Sequence, residues 1–182
     1  MGGPSQPNPP IPRLCRDINW TAWQPRMRAT LLFLHCPNRG FLLIEKKRGL
    51  GAGKVNAPGG KIDPGETPAQ CAIRETQEEV RLHARNPVEV GILHFQFTDG
   101  LSIRCHVFRS SEFSGTPEET PEANPFWCPI DKLPYHRMWQ DDTIWLPTLI
   151  QGTSFNGFFI FEHETMLDHT LQTTHPILPP LH

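Results

Sequence analysis

Gly60-Lys61-Ile62-Asp63-Pro64-Gly65-Glu66-Thr67-Pro68-Ala69-Gln70-Cys71-Ala72-Ile73-Arg74-Glu75-Thr76-Gln77-Glu78-Glu79-Val80-Arg81-Leu82 reads as a loop running into a helix, and it carries more charge than a helix needs. Thr67 can cap, Pro68 suits the first helical position, and Gln70 stands where it can complete a capping box. Ala69, Ala72, Ile73, Thr76 and Val80 recur at helical spacing and predict one buried stripe. Glu75, Glu78 and Glu79 then fall side by side on the surface, where like charges cost an isolated helix roughly 0.2–0.5 kcal/mol per pair. Arg74 is placed to relieve Glu78 alone, four residues on. A run like this is either a solvated acidic face or a set of oxygen ligands gathered for a hard cation.

Working outward, the flanks read as hairpins. Arg28 to His35 and Gly40 to Glu45 are β-prone runs joined by the turn residues Cys36-Pro37-Asn38-Arg39. Val88 to Thr98 and Leu101 to Phe108 alternate around Asp99-Gly100, a strong hairpin signal. Lys46 to Pro58 is a glycine-rich basic loop, Gly115 to Asn124 a polar loop, and Phe126 to Ile130 a short strand. Asp141 to Gln151 reads as a second helix, and Asn156-Gly157 precedes a final aromatic strand, Phe158 to Phe161. Hairpins with two helices predict a mixed α/β sandwich, not a doubly wound sheet.

At 182 residues the chain suits one core. A net charge of −2 offers no electrostatic footprint for duplex nucleic acid or an anionic membrane. No apolar run is long enough to span a bilayer, and no secretory leader is read at the N-terminus. Cys15, Cys36, Cys71, Cys105 and Cys128 are widely spaced, which predicts free thiols in a reducing, cytoplasmic setting and a monomer as the default assembly. Pro4, Pro7, Pro9, Pro10 and Pro12 predict a flexible tail over 1–27. The folded domain is expected over 28–171, with a C-terminal tail over 172–182. Two apparent motifs fail. Val55 follows Lys54 where a Walker A needs Ser or Thr, and Leu167 stands where a zinc motif starting at His163 needs its second histidine.

The opening stretch, Gly60-x5-Glu66-x7-Arg74-Glu75-Thr76-x-Glu78-Glu79-x-Arg81-Leu82, resembles the Nudix box, G-x5-E-x7-R-E-U-x-E-E-x-G-U, with U aliphatic. Every charged position is filled with the right type. Thr76 replaces an aliphatic residue, and Arg81 replaces the glycine that leaves the helix, at a cost of roughly 1 kcal/mol or a shifted helix end. The resemblance implies the Nudix fold, a mixed sheet in an α/β/α sandwich, and a magnesium-dependent hydrolase in which Mn²⁺ can substitute. It implies that Glu75, Glu78, Glu79 and the Gly59 carbonyl bind metal, that Glu66 pairs with Arg74, and that one carboxylate deprotonates the attacking water. Glu79 is preferred for that role, although spacing alone does not choose among coupled neighbours. Glu122 is the candidate for a further acidic ligand from a later loop.

Lys46 to Lys54, Met138 to Trp145, Gly157-Phe158-Phe159 and Met166-Leu167-Asp168 are similar to the oxidised-purine nucleoside triphosphatase branch, the 8-oxo-dGTPases of MutT-homologue type. The branch implies a purine nucleotide substrate such as 8-oxo-dGTP or 2-hydroxy-dATP, cleaved to monophosphate and pyrophosphate to sanitise the nucleotide pool. Thr30, Lys46, Asn56, Trp139, Asp141 and Asp142 occupy its substrate-contact positions. Trp139 offers a face for stacking, Asn56 both a donor and an acceptor. Of two adjacent aspartates one can keep its proton and so read different purine edges; capping a helix is their simpler use. Leu50, Ile103 and Gln140 depart from the branch, where phenylalanine, methionine and proline are usual. Competing readings are a broad nucleotide pyrophosphatase, a nucleoside diphosphate-sugar hydrolase, or a nucleotide-sensing module without catalysis.

Overall fold

The computed structural model describes residues 11–182. The Thr67 cap closes as its sequence predicts: its hydroxyl accepts from the Gln70 N–H (3.2 Å), and the Gln70 side chain accepts from the Thr67 N–H (2.9 Å). Helix α1 follows over Pro68–Val80. Ala72, Thr76 and Val80 are buried, and Thr76 donates back to the Ala72 carbonyl. Arg81 ends the helix in the left-handed region at φ 63°, so the chain keeps the exit and accepts the strain.

Strands β1 (Met27–Cys36) and β2 (Gly40–Lys46) form the first hairpin, with β3 (Val55–Asn56) added beside β2 inside the stretch expected to be loop. A short ribbon pairs β4 (His83–Arg85) with β7 (Glu112–Ser114). The second hairpin is β5 (Val88–Phe97) and β6 (Ser102–Ser110). β8 (Ala123–Cys128) pairs with β2, helix α2 spans Asp142–Ile150, and β9 (Thr153–Glu162) and β10 (Thr165–Pro176) complete the sheet. The order is β10-β9-β5-β6-β1-β2-β3, and it is mixed because β1 runs parallel to β6 and β5 parallel to β9.

Alternation along β1 distributes its side chains between two cores. Leu32 and Leu34 pack with Ala72 and Val80 under α1, whereas Phe33 packs with Trp145, Phe155 and Phe159 on the α2 side. The sheet is therefore covered by a helix on each face, the α/β/α sandwich that the family implies.

Both expected tails need correcting. Residues 1–10, with Pro4, Pro7, Pro9 and Pro10, lie outside the described residues, but within 11–27 the chain is anchored on the sheet. Cys15 is buried, its N–H donates to Asp168 (2.6 Å), and the Trp23 indole donates to Gln96 (2.8 Å). Proline-rich composition concealed this because two tryptophans, Trp20 and Trp23, supply the anchoring area by packing on His94. At the other end the strand Phe158 to Phe161 is not the last. β10 runs through 172–176, and beyond it Arg109 donates to the Pro179 carbonyl (2.7 Å). An edge strand is held by backbone bonds to one neighbour, so its polar side chains gave no periodic signal.

Candidate functional site

Two glycines bring the loop before α1 against the sheet. Thr30 N–H donates to the Gly60 carbonyl (2.9 Å), and a Cβ at Gly59 would stand 2.0 Å from the Thr30 oxygen. A Cβ at Gly60 would stand 2.3 Å from the Glu75 carboxyl carbon. Only bare backbone fits between β1 and the carboxylates of α1.

Arg74 gathers those carboxylates more widely than its spacing indicated. It grips Glu66 with two bonds (2.8 and 2.9 Å) and also donates to Glu75 (2.9 Å) and Glu78 (3.0 Å). The Arg74 guanidinium holds the Glu66 carboxyl down at about 2. Glu78 is half exposed, but Glu79 is buried, contrary to the expected surface trio. Its Oε2 accepts from the Gly59 N–H (2.9 Å). Burial pushes Glu79 up to about 7, opposed by the Gly59 N–H and Lys46 and reinforced by Glu75 and Glu122. Burial raises Glu75 too, with Arg74 pulling the other way.

Glu122 reaches this end of α1 from the loop before β8 and is paired with Arg48. Thr120, which sequence reading missed, fixes that approach: buried, it donates to the Glu79 carbonyl (2.8 Å) and accepts from the Glu122 N–H (3.2 Å). A lone threonine in a polar loop carries no signal of this. Among the described residues no three acidic, thiol or imidazole groups already form a cation cage, since Arg74 and Arg48 draw three of the carboxylates toward themselves. The donor set nonetheless fits a hard divalent cation. It is all oxygen, and two of its members, the buried Glu79 and the partly buried Glu75, are raised by burial and by neighbouring glutamates, a state that added positive charge would relieve.

Gly59, Gly60, Lys61 and Lys46 also line a cavity of about 260 Å³ that Trp145 of α2 borders. Thr30, Asn56, Trp139, Asp141 and Asp142 all line it, so every expected contact residue reaches one space. Its apolar lining includes Leu50, Phe97, Ile103 and Phe161. Leu50 is among the few exposed large apolar residues described.

Asp141 and Asp142 are both buried. Asp142 accepts from the Trp139 N–H (3.0 Å), whereas Asp141 makes no side-chain cap to its helix. Asp141 Oδ2 accepts from the Trp145 indole (2.8 Å), leaving Oδ1 buried without a partner. Burial pushes Asp141 up to about 6, and burial together with Asp141 raises Asp142 well above the ordinary carboxylate range. Two adjacent buried carboxyls disfavour double ionisation, and a proton kept by one of them would give the cavity one donor and one acceptor. Helix capping explains neither, because the N–H that Asp142 accepts from belongs to Trp139, ahead of the helix. Trp145 is the partner that sequence reading left out; its apolar neighbours made it look like plain core. Asn56 Oδ1 accepts from the Ala57 N–H (2.8 Å), and Thr30 Oγ1 lies 3.4 Å from the Cys71 sulfur.

The NUDIX domain family matches residues 25–149. The chain is 40% identical over 144 residues to the oxidized purine nucleoside triphosphate hydrolase of Danio rerio, covering 78% of this chain and 92% of that protein. It is 38% identical over 145 residues to the enzyme of the same name from Mus musculus, covering 79% and 92%. The crystal structure of the mutator MutT protein from Bacillus halodurans superposes with a TM-score of 0.71 at 25% identity, over 80% of this chain and 97% of that one. Family match, relatives and fold agree with the charged positions of the box, all filled between Gly60 and Leu82, and this chain belongs to the Nudix hydrolases.

Proposed function

We propose that this Nudix hydrolase cleaves oxidised purine nucleoside triphosphates, 8-oxo-dGTP and 2-hydroxy-dATP, to the monophosphate and pyrophosphate. The observation that carries this reading is the buried Asp141–Asp142 pair, with a free acceptor at Asp141 Oδ1, in the same cavity whose lining includes Gly59 and Gly60, the backbone that meets Glu79 and Glu75 of α1. A purine held at Trp139 and the aspartates would direct its phosphates toward that backbone. Lys46 and Lys61, which line the cavity, are the cations available to meet them.

Glu75, Glu78, Glu79, Glu122 and the Gly59 carbonyl would hold Mg²⁺, with Mn²⁺ as a substitute. When bound, the ion neutralises phosphate charge and helps orient the attacking water. Glu79 is assigned as the base, because its buried carboxylate is fixed by the Gly59 N–H at the backbone that lines the cavity. Arg74 keeps Glu66, Glu75 and Glu78 in register, and Asn56 and Thr30 complete the contacts to the nucleotide.

We also read the protein as a cytoplasmic monomer that sanitises the nucleotide pool and so spares DNA repair. The five thiols are free, and Leu14, Leu50 and Val88 are the exposed large apolar residues among those described. No helix among the described residues is long and apolar enough to cross a membrane. The test is a panel of nucleotides with Mg²⁺, following pyrophosphate against phosphate. Oxidised purine triphosphates should lead with pyrophosphate as co-product. Equal rates on unmodified purines and pyrimidines would favour the broad pyrophosphatase, and binding without turnover the sensing module.

A further inference from the structure

The turn between β9 and β10 touches the neighbourhood of Trp139 from both sides. Glu164 in that turn pairs with Lys54 at 3.0 Å, and the Met166 N–H donates to the Gln140 side chain at 2.6 Å. Lys54 Nζ lies 5.1 Å from the centre of the Trp139 ring. Trp139 lines the cavity, but Lys54 does not; it lines an adjoining groove with Tyr135, His136, Gln140 and Glu164. Trp139 lines the cavity and Lys54 the groove, so the ammonium meets the ring from outside the cavity. The ring also meets Phe97 and Phe161 nearly at right angles (80° and 89°), and a Cβ at Gly51 would stand 2.9 Å from its Nε1.

We propose that Lys54, held by Glu164, is a positioning residue that fixes and polarises the Trp139 indole from behind and thereby sets affinity for the purine. The inference rests on the reading that a purine stacks on Trp139. The ring face is electron-rich, so an ammonium within about 6 Å is attracted to it. Drawing π density toward one face leaves the opposite face better matched to an electron-rich heterocycle, as oxidised purines are. The ammonium also opposes rotation of the ring. Lys54 is shielded, with 22% of its side chain exposed, whereas Glu164 is 69% exposed. An exposed ion-pair partner contributes little, so Lys54 should matter more than Glu164.

The experiment compares wild type, K54M, K54R, E164Q and the K54M/E164Q double variant on 8-oxo-dGTP and dCTP. It also records the Nε1–H resonance of Trp139, assigned with W139F, in the free protein. K54M is expected to raise KM for 8-oxo-dGTP about two- to fivefold with kcat nearly unchanged, the range for losing one partly exposed cation–π contact. dCTP should not respond, K54R should restore KM, and E164Q should add nothing to K54M. The Trp139 resonance should move in K54M and return in K54R. An unmoved resonance with unchanged KM, or an equal rise on dCTP, overturns the proposal. If the wild-type enzyme shows no preference for the purine, the reading of the pocket fails, and the resonance alone decides whether Lys54 holds the ring.

Discussion

Replacing Asp141 by asparagine should weaken catalysis and strengthen the fold together. In the folded protein burial raises this acid from 3.8 to about 6. An acid so raised costs the ionised folded state about 3 kcal/mol, full at pH 7 and absent below the unfolded value, because stability falls between the two as pH rises. The asparagine carries no charge, still accepts from the Trp145 indole through its oxygen, and should lift Tm at pH 7.5 by several degrees. The gap between variant and wild type should close as pH is lowered through about 6 toward 4. The same change turns Asp141 Oδ1, the buried acceptor without a partner, into an amide donor. A mismatched hydrogen bond to a buried base edge costs about 1–3 kcal/mol, so kcat/KM for 8-oxo-dGTP should fall roughly 5- to 150-fold. The assay is kcat/KM on 8-oxo-dGTP, 2-hydroxy-dATP and dCTP, beside thermal melts at pH 4.5 and 7.5. Equal losses on all three substrates, or a Tm at pH 7.5 below wild type, would refute the reasoning, since either would make Asp141 structural.

Glu79→Gln should lower kcat at least about 10²-fold while Tm holds or rises, because it removes a positioned base and a buried carboxylate together; near-normal kcat would end the assignment. Excess EDTA should abolish turnover and Mg²⁺ should restore it; full activity in the chelator would contradict the oxygen-ligand reading of Glu75, Glu78, Glu79 and Glu122. Glu66→Gln tests the Arg74 clamp. Glu66 is lowered to about 2, so its stabilising effect is present above its ordinary value and is lost as pH falls toward 2. Urea melts should show wild type ahead of the variant at pH 6 and level with it near pH 2, and a gap that widens in acid would have the wrong sign.

How far the sequence alone reached follows from the kind of interaction each element uses. The start of α1 was legible to the residue and its apolar stripe in outline, because the Thr67–Gln70 capping box and the stripe are local relations along one turn or two. The hairpins β1–β2 and β5–β6 were legible from Cys36-Pro37-Asn38-Arg39 and Asp99-Gly100, again because a tight turn joins neighbours in sequence. The parallel pairings of β1 with β6 and β5 with β9, and the edge strand β10, required the tertiary structure, since nothing near them in sequence encodes their partners. The ordered parts of both expected tails escaped for a related reason: Trp23 and Pro179 are anchored by Gln96 and Arg109, each at least 70 residues away. At the site the sequence named the cavity-lining residues that the family resemblance implied and a proton shared by the two aspartates, but not the burial behind it. Only folding buries Glu79 and sets Asp142 beside Asp141 away from water, and it is that desolvation, a property of the assembled core, that raises all three above the ordinary carboxylate range.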